Sequence, residues 1–136
     1  MSLRNFNILK DLPVNKTKLR SQKNYLRVNI PCRPWKARIL GYKNTGKMIV
    51  VQARISKGGV KPPAPKGGRS PGNLGRVRSR DLPKSKILAQ RVCKKYKASH
   101  NLLNYYLLSK DGQNYYYEFI LYDRTLGIRP KSWIFR

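Results

Sequence analysis

Between Leu12 and Arg80 the chain contains no acidic residue, and from Lys16 to Arg80 it carries 18 lysines and arginines. A stretch of this kind cannot neutralise itself through internal ion pairs. Like-charge repulsion opposes any compact arrangement of it until a polyanion or condensed counterions intervene. The whole chain repeats the imbalance, with 31 Lys and Arg against 5 Asp and Glu and a formal net charge of +26 on 136 residues. Nucleic acid is the expected partner. A membrane surface would ask instead for cations gathered opposite one apolar helix face or beside an apolar span, whereas here they run through nearly every segment. No apolar run reaches the roughly 18 to 20 residues of a bilayer-spanning helix.

The opening MSLRNFNILKDL has no long apolar run followed by a small-residue cleavage site, which argues against a secretory signal. Amphipathic and poor in acids, it reads as a short docking helix or an extended arm, with a mitochondrial targeting segment as the alternative. Cys32 and Cys93 stand far apart without CxxC spacing, and His100 is the one histidine. No zinc site is expected, and the cysteines read as reduced, small apolar side chains of an intracellular protein.

The stretch Lys57 to Arg80 combines six glycines, four prolines and seven cations. Proline removes amide donors, glycine opens unusual dihedrals, and too little apolar surface remains to offset the entropy of ordering. A flexible linker would need no such charge, so this segment is expected to be a loop that enters RNA, its glycines letting the backbone approach phosphates. Lys57, Lys61, Lys66, Arg69, Arg76, Arg78 and Arg80 are its candidate contacts.

On either side of the loop the apolar spacing changes. Lys47 to Ile55 reads as a strand with Val51, Ala53 and Ile55 on one face; Ala37 to Tyr42 reads as a shorter strand, and Asn44 to Gly46 as the turn between them. After the loop, Asp81 and Pro83 mark a helix start, and Leu88, Val92 and Tyr96 recur every fourth residue as a buried stripe. Lys94, Lys95 and Lys97 crowd its last turn, where they suit the negative end of the helix dipole. A hairpin is expected from Asn104–Ser109 and Tyr115–Tyr122 around an Asp111-Gly112 turn. Its second strand is apolar on both faces, Tyr115, Tyr117, Phe119 and Leu121 on one and Tyr116, Glu118, Ile120 and Tyr122 on the other, which predicts a central strand covered from two sides.

Catalytic chemistry has no support at this level. The acids fall in or beside the hairpin (Asp111, Glu118, Asp123) or at element ends (Asp11, Asp81), and His100 has no evident nucleophile or metal partner. The Gly-rich segment contains neither GxxxxGK[ST] nor GxGxxG opening a helix. Most of the nine tyrosines lie on strands or the helix and are assigned to core packing. Trp35 and Trp133 lie in basic, proline-containing segments (CRPWKAR and RPKSWIFR), where stacking on a base or sugar competes with docking against the domain.

The segment RPWKARILGYKNTGKMIVVQARISKGGVKPPAPKG resembles the "fifteen-e" family of archaeal and eukaryotic large-subunit ribosomal proteins. The pattern is carried by Arg33, Pro34, Lys36, Ala37, Arg38, Leu40, Gly41, Tyr42 and Lys43, then by Gly58, Gly59, Pro65, Lys66 and Gly67. A second region fits it through the helix at Ile87 to Lys97, LLNYYLL, YYYEFILYD and Trp133. The resemblance implies a scaffold role among ribosomal RNA helices, without cofactor or catalysis, and contacts to RNA at Lys36, Arg38, Lys43, Lys61 and Lys66. The first 30 residues depart from the pattern, and the chain stops at Arg136 where members usually continue into a long basic tail, so a shortened member is expected.

The expected architecture is α+β, a small antiparallel or mixed sheet flanked by helices. A basic arm would span 1–32 and a single RNA-binding domain 33–136, with the extended loop at 57–84. Basic segments add Arg33, Arg124, Arg129 and Lys131, and the tryptophans Trp35 and Trp133, to the candidate contacts. Expected partners are large-subunit ribosomal RNA and neighbouring ribosomal proteins in a cytosolic ribosome, an organellar ribosome being the alternative location, with no membrane, small-molecule substrate, metal or cofactor. A DNA-packaging chromatin or nucleoid protein is the rival that charge alone would permit, although a long Gly/Pro loop suits irregular RNA better than a regular groove. An RNA-modifying or RNA-cleaving enzyme is the third reading.

Overall fold

The computed structural model describes residues 14–58, 67–68 and 83–128. In chain order these form α1 (Lys16–Ser21), β1 (Tyr25–Val28), α2 (Pro34–Ile39), β2 (Met48–Ser56), α3 (Lys84–Tyr96), β3 (His100–Lys110) and β4 (Asn114–Asp123), followed by a 3-10 turn at Arg124–Leu126. The strands make one sheet in the order β1-β2-β4-β3, every neighbouring pair antiparallel. Residues 14–32, set apart from sequence as part of an arm, contribute α1 and the edge strand β1. Among the described residues no helix is long and apolar enough to cross a membrane.

The alternation on β4 has the expected consequence. Phe119 and Leu121 join Ile49, Val51, Ala53 and Ile55 of β2 and Leu102 of β3 on one face, against Leu88, Ala89 and Val92 of α3. Tyr105, Tyr115 and Tyr117 extend this cluster at its margin, with the Tyr105 ring centroid 5.4 Å from that of Phe119. On the opposite face Ile120 packs with Tyr106 and Ala37 of α2, and Tyr116 with Leu108 and Leu19 of α1. A register irregularity between Leu102 and Asn104 resets which β3 side chains face inward, so Leu102 and Tyr105 reach the α3 side while Tyr106 turns to the other. Helix α3 begins at Lys84, immediately after Pro83; Asp81 lies outside the described residues.

The strand expected at Ala37–Tyr42 is instead the end of α2 and its cap. Pro34 occupies the first helical position, where its fixed φ fits and its missing N–H costs nothing. Gly41, at φ +99°, supplies the left-handed residue that ends the helix. The Gly41 amide donates to the Arg38 carbonyl (3.0 Å) and the Tyr42 amide to the Ala37 carbonyl (2.9 Å), the paired bonds of a Schellman cap. A Cβ at Gly41 would lie 3.2 Å from Leu103 Cδ2, so the turn has little room for another residue.

Beneath α2 lies a polar group that the alternation alone would not place there. Glu118 is fully buried at the centre of β4, with no described cation paired to it. Its carboxylate accepts from the Cys32 amide (3.1 Å), Gln52 Nε2 (2.8 Å) and the Tyr106 hydroxyl. Gln52 Nε2 also donates to Cys32 Sγ (3.2 Å). Burial, then the adjoining carboxylate, push the Tyr106 hydroxyl pKa up, and the same two causes raise the Cys32 thiol to about 11, so both groups stay protonated. A buried carboxylate is tolerable only when hydrogen-bonded; these bonds tie the segment that enters α2 to the middle of the sheet.

Two outcomes follow for stability. Phe119→Ala should lower the free energy of urea-induced unfolding by about 3–5 kcal/mol through loss of core contacts and a residual cavity, whereas Leu107→Ala, 38% exposed, should change it by less than about 0.5 kcal/mol. Glu118→Gln keeps the shape but replaces one of the two acceptor oxygens facing three donors with an NH2 donor, and should cost about 1–3 kcal/mol while accelerating hydrogen exchange of the Cys32 amide. An unchanged unfolding midpoint with a still-protected Cys32 amide would remove the anchoring role of Glu118.

Candidate nucleic-acid interface

The described acids are all committed to structure. Glu118 is buried in the sheet; Asp111 pairs with Arg20, Nε to Oδ2 at 2.5 Å and Nη2 to Oδ1 at 2.8 Å; Asp123 caps the 3-10 turn by accepting from the Thr125 amide at 3.1 Å. The Arg20 hydrogen bond draws the Asp111 carboxyl down to about 2, and the Thr125 amide draws Asp123 below its usual range. Arg20–Asp111 is the one ion pair among the described residues. No acid is left there to offset the outward-facing cations.

Those cations form separate groups. On the α2 side, Trp35 is 55% exposed and Ile39 66%, one helical turn apart. Arg33 caps the helix without a side-chain capping bond, and Lys36 Nζ stands 5.8 Å from the centroid of the Tyr106 ring. Arg38 and Lys43 line a groove of about 550 Å³ beside Pro34 and Tyr42. Burial pushes the Tyr42 hydroxyl pKa up, and its ring packs on the Ala37 cluster. Lys57 sits at the hairpin-turn end of the sheet, its amide donating to the Gln113 carbonyl and its Nζ 5.2 Å from the Tyr115 ring centroid.

Arg124 stands at the other end. Its Nε donates to Asn101 Oδ1 (3.2 Å), and it lines a 350 Å³ pocket with Lys94, Lys97 and His100 where the end of α3 meets the start of β3. Spacing alone ties these lysines to the helix dipole; their gathering around Arg124 depends on the return of the chain from β4 and has no local signal. Of the expected contacts, Arg33, Trp35, Lys36, Arg38 and Lys43 come together on α2 and its exit, while Lys57 and Arg124 lie apart. Lys61, Lys66, Arg69, Arg76, Arg78, Arg80, Arg129, Lys131 and Trp133 lie outside the described residues. Among the described residues there is no group of three or more His, Cys, Asp or Glu able to hold a metal ion.

Similarity to known proteins coincides with these elements. A family model described as Ribosomal L15 matches residues 6–129, a span that includes every strand and helix above. The chain is 35% identical over 130 residues to the protein named Large ribosomal subunit protein eL15 of Picrophilus torridus, an alignment covering 90% of this chain and 66% of the relative. The chain thus spans about two thirds of the length of that relative. The Arg33–Pro34 start of α2, its Gly41 cap and the hairpin all fall inside the matched region, and the chain belongs to the Ribosomal L15 family of large-subunit ribosomal proteins.

Proposed function

We propose that this chain is a structural constituent of the large ribosomal subunit, which binds folded ribosomal RNA and stabilises it by placing Lys and Arg against phosphates. The observation that carries the reading is the charge left over after folding: each described acid is buried, capping or paired, and the cations of α2, its exit and the α3–β3 junction face outward. Such a surface is satisfied by a polyanion, whose bound counterions are released as lysine and arginine replace them.

The α2 group (Arg33, Trp35, Lys36, Arg38, Lys43) is assigned as one contact, and the junction group (Lys94, Lys97, Arg124) as a second on the other side of the sheet. Lys57 is assigned to the same RNA, as are Lys61, Lys66, Arg69, Arg76, Arg78, Arg80, Arg129, Lys131 and Trp133 outside the described residues. Backbone contacts of this kind position a protein but read little sequence, so selectivity is assigned to RNA shape. The role requires no turnover and no cofactor, and its setting is the cytosolic ribosome with ribosomal proteins as neighbours.

Full-length tagged protein should co-sediment with large ribosomal subunits through a sucrose gradient in high salt; recovery only at the top of the gradient would defeat the assignment. Affinity for isolated large-subunit RNA should fall with salt at a log–log slope of about −9 if about ten phosphates are engaged, taking duplex DNA as reference. The combined change of Lys36, Arg38 and Lys43 to Gln should make that slope shallower by about 3 units; an unaltered slope would show that the α2 surface does not meet phosphates.

A further inference from the structure

The groove beside α2 is built differently from the rest of the basic surface. Its volume of about 550 Å³ falls within the ~300–1,000 Å³ of sites that enclose a small ligand. Three kinds of chemistry line it. Tyr42 offers an aromatic ring supported from behind by Ala37, Tyr106 and Ile120, and Ile30, 62% exposed, adds an apolar wall. Arg38 and Lys43 supply positive charge. Asn29 and Asn44 supply side-chain amides, each with donors and an acceptor.

None of these polar side chains is taken up by another described residue. Three arginines elsewhere are held: Arg20 by Asp111, Arg54 by Asn24 and the Arg20 carbonyl, and Arg124 by Asn101. The side chains of Arg38 and Lys43 carry no such bond to a described residue.

A ligand suited to this lining is planar and aromatic, has hydrogen-bonding edges and carries a negative charge. Duplex RNA keeps its base faces stacked inside and offers a concave pocket phosphates and 2′-hydroxyls, whereas an unpaired base exposes both its face and its Watson–Crick edge. Aromatic stacking with basic side chains along the backbone is how unpaired nucleotides are held. We infer that this groove receives one unpaired nucleotide of RNA, its base against Tyr42 within reach of the Asn29 and Asn44 amides, and its phosphate against Arg38 and Lys43. The inference rests on the RNA-binding reading above and adds to it a contact with an extruded base, which gives the protein a means of recognising a bulge or loop.

The test compares fluorescence anisotropy of full-length protein with a labelled oligouridylate and with a labelled blunt RNA duplex of equal phosphate number, at one salt concentration. Tyr42→Leu should weaken oligouridylate binding roughly tenfold, as expected for loss of one base stack, and leave duplex binding unchanged. Tyr42 also supports the fold, so the second variant is the double change Asn29→Ala and Asn44→Ala, both exposed; it should weaken the same single-strand binding without altering the thermal unfolding midpoint. Folded variants that bind oligouridylate as tightly as the parent chain, or lose both RNAs equally, overturn the nucleotide site while leaving the broader reading intact. A parent chain that binds neither RNA defeats both. If an acidic peptide binds the parent chain but not Tyr42→Leu, and oligouridylate does not discriminate them, the groove belongs to a protein neighbour and the inference fails.

Discussion

Strand β4 has two apolar faces, and each must be removed from water. A single layer of helices on one side would leave Ile120 and Tyr122, or Phe119 and Leu121, exposed. The chain therefore returns helices to both faces: α3 covers one, and the short α1 and α2 cover the other. Because the helices that close the core also carry many of the cations, burial of one strand distributes positive charge to both outer surfaces of the sheet.

Glu118 connects this hydrophobic constraint to the basic surface. It interrupts the apolar row of β4 at the point where the opposite face receives the chain between β1 and α2. The carboxylate is desolvated, and its partners come from β2, β3 and the incoming backbone. Such a network specifies one arrangement, since shifting any partner leaves a buried group unsatisfied. The consequence extends outward: Cys32 is held, α2 starts two residues later, and the groove forms between the held segment and the residues leaving α2.

The outer surface is nearly free of internal compensation. The described acids are used where they hold the polypeptide, and the cations that brace the chain do so by pairing with those acids, with side-chain amides or with carbonyls. What remains is a large excess of one sign. Its self-repulsion would oppose folding were the anionic partner absent, so stability and binding are coupled in a protein of this charge.

Several elements were readable directly from residue order because they depend on near neighbours. The Asp111-Gly112 turn, the two-residue period of β2 and β4 and the four-residue period of Leu88, Val92 and Tyr96 are local signals, and the structure has a hairpin, strands and a helix there. The α+β class and the charge-based choice of partner followed from them and from composition. Ala37–Tyr42 is a helix end and its cap and not the expected strand, because six residues are too few for period to separate helix from strand; Pro34 and Gly41, seven apart, are the better signal. Whether Glu118 would be buried or exposed depended on Gln52, Tyr106 and Cys32, residues far from it in sequence. The gathering of Lys94, Lys97 and Arg124, and of Asn29, Arg38 and Tyr42, likewise required the chain to close on itself. Local spacing determines which face a side chain takes on its own element, but only the packing of distant elements decides which side chains share a cavity, because that proximity arises from contacts that residue order does not record.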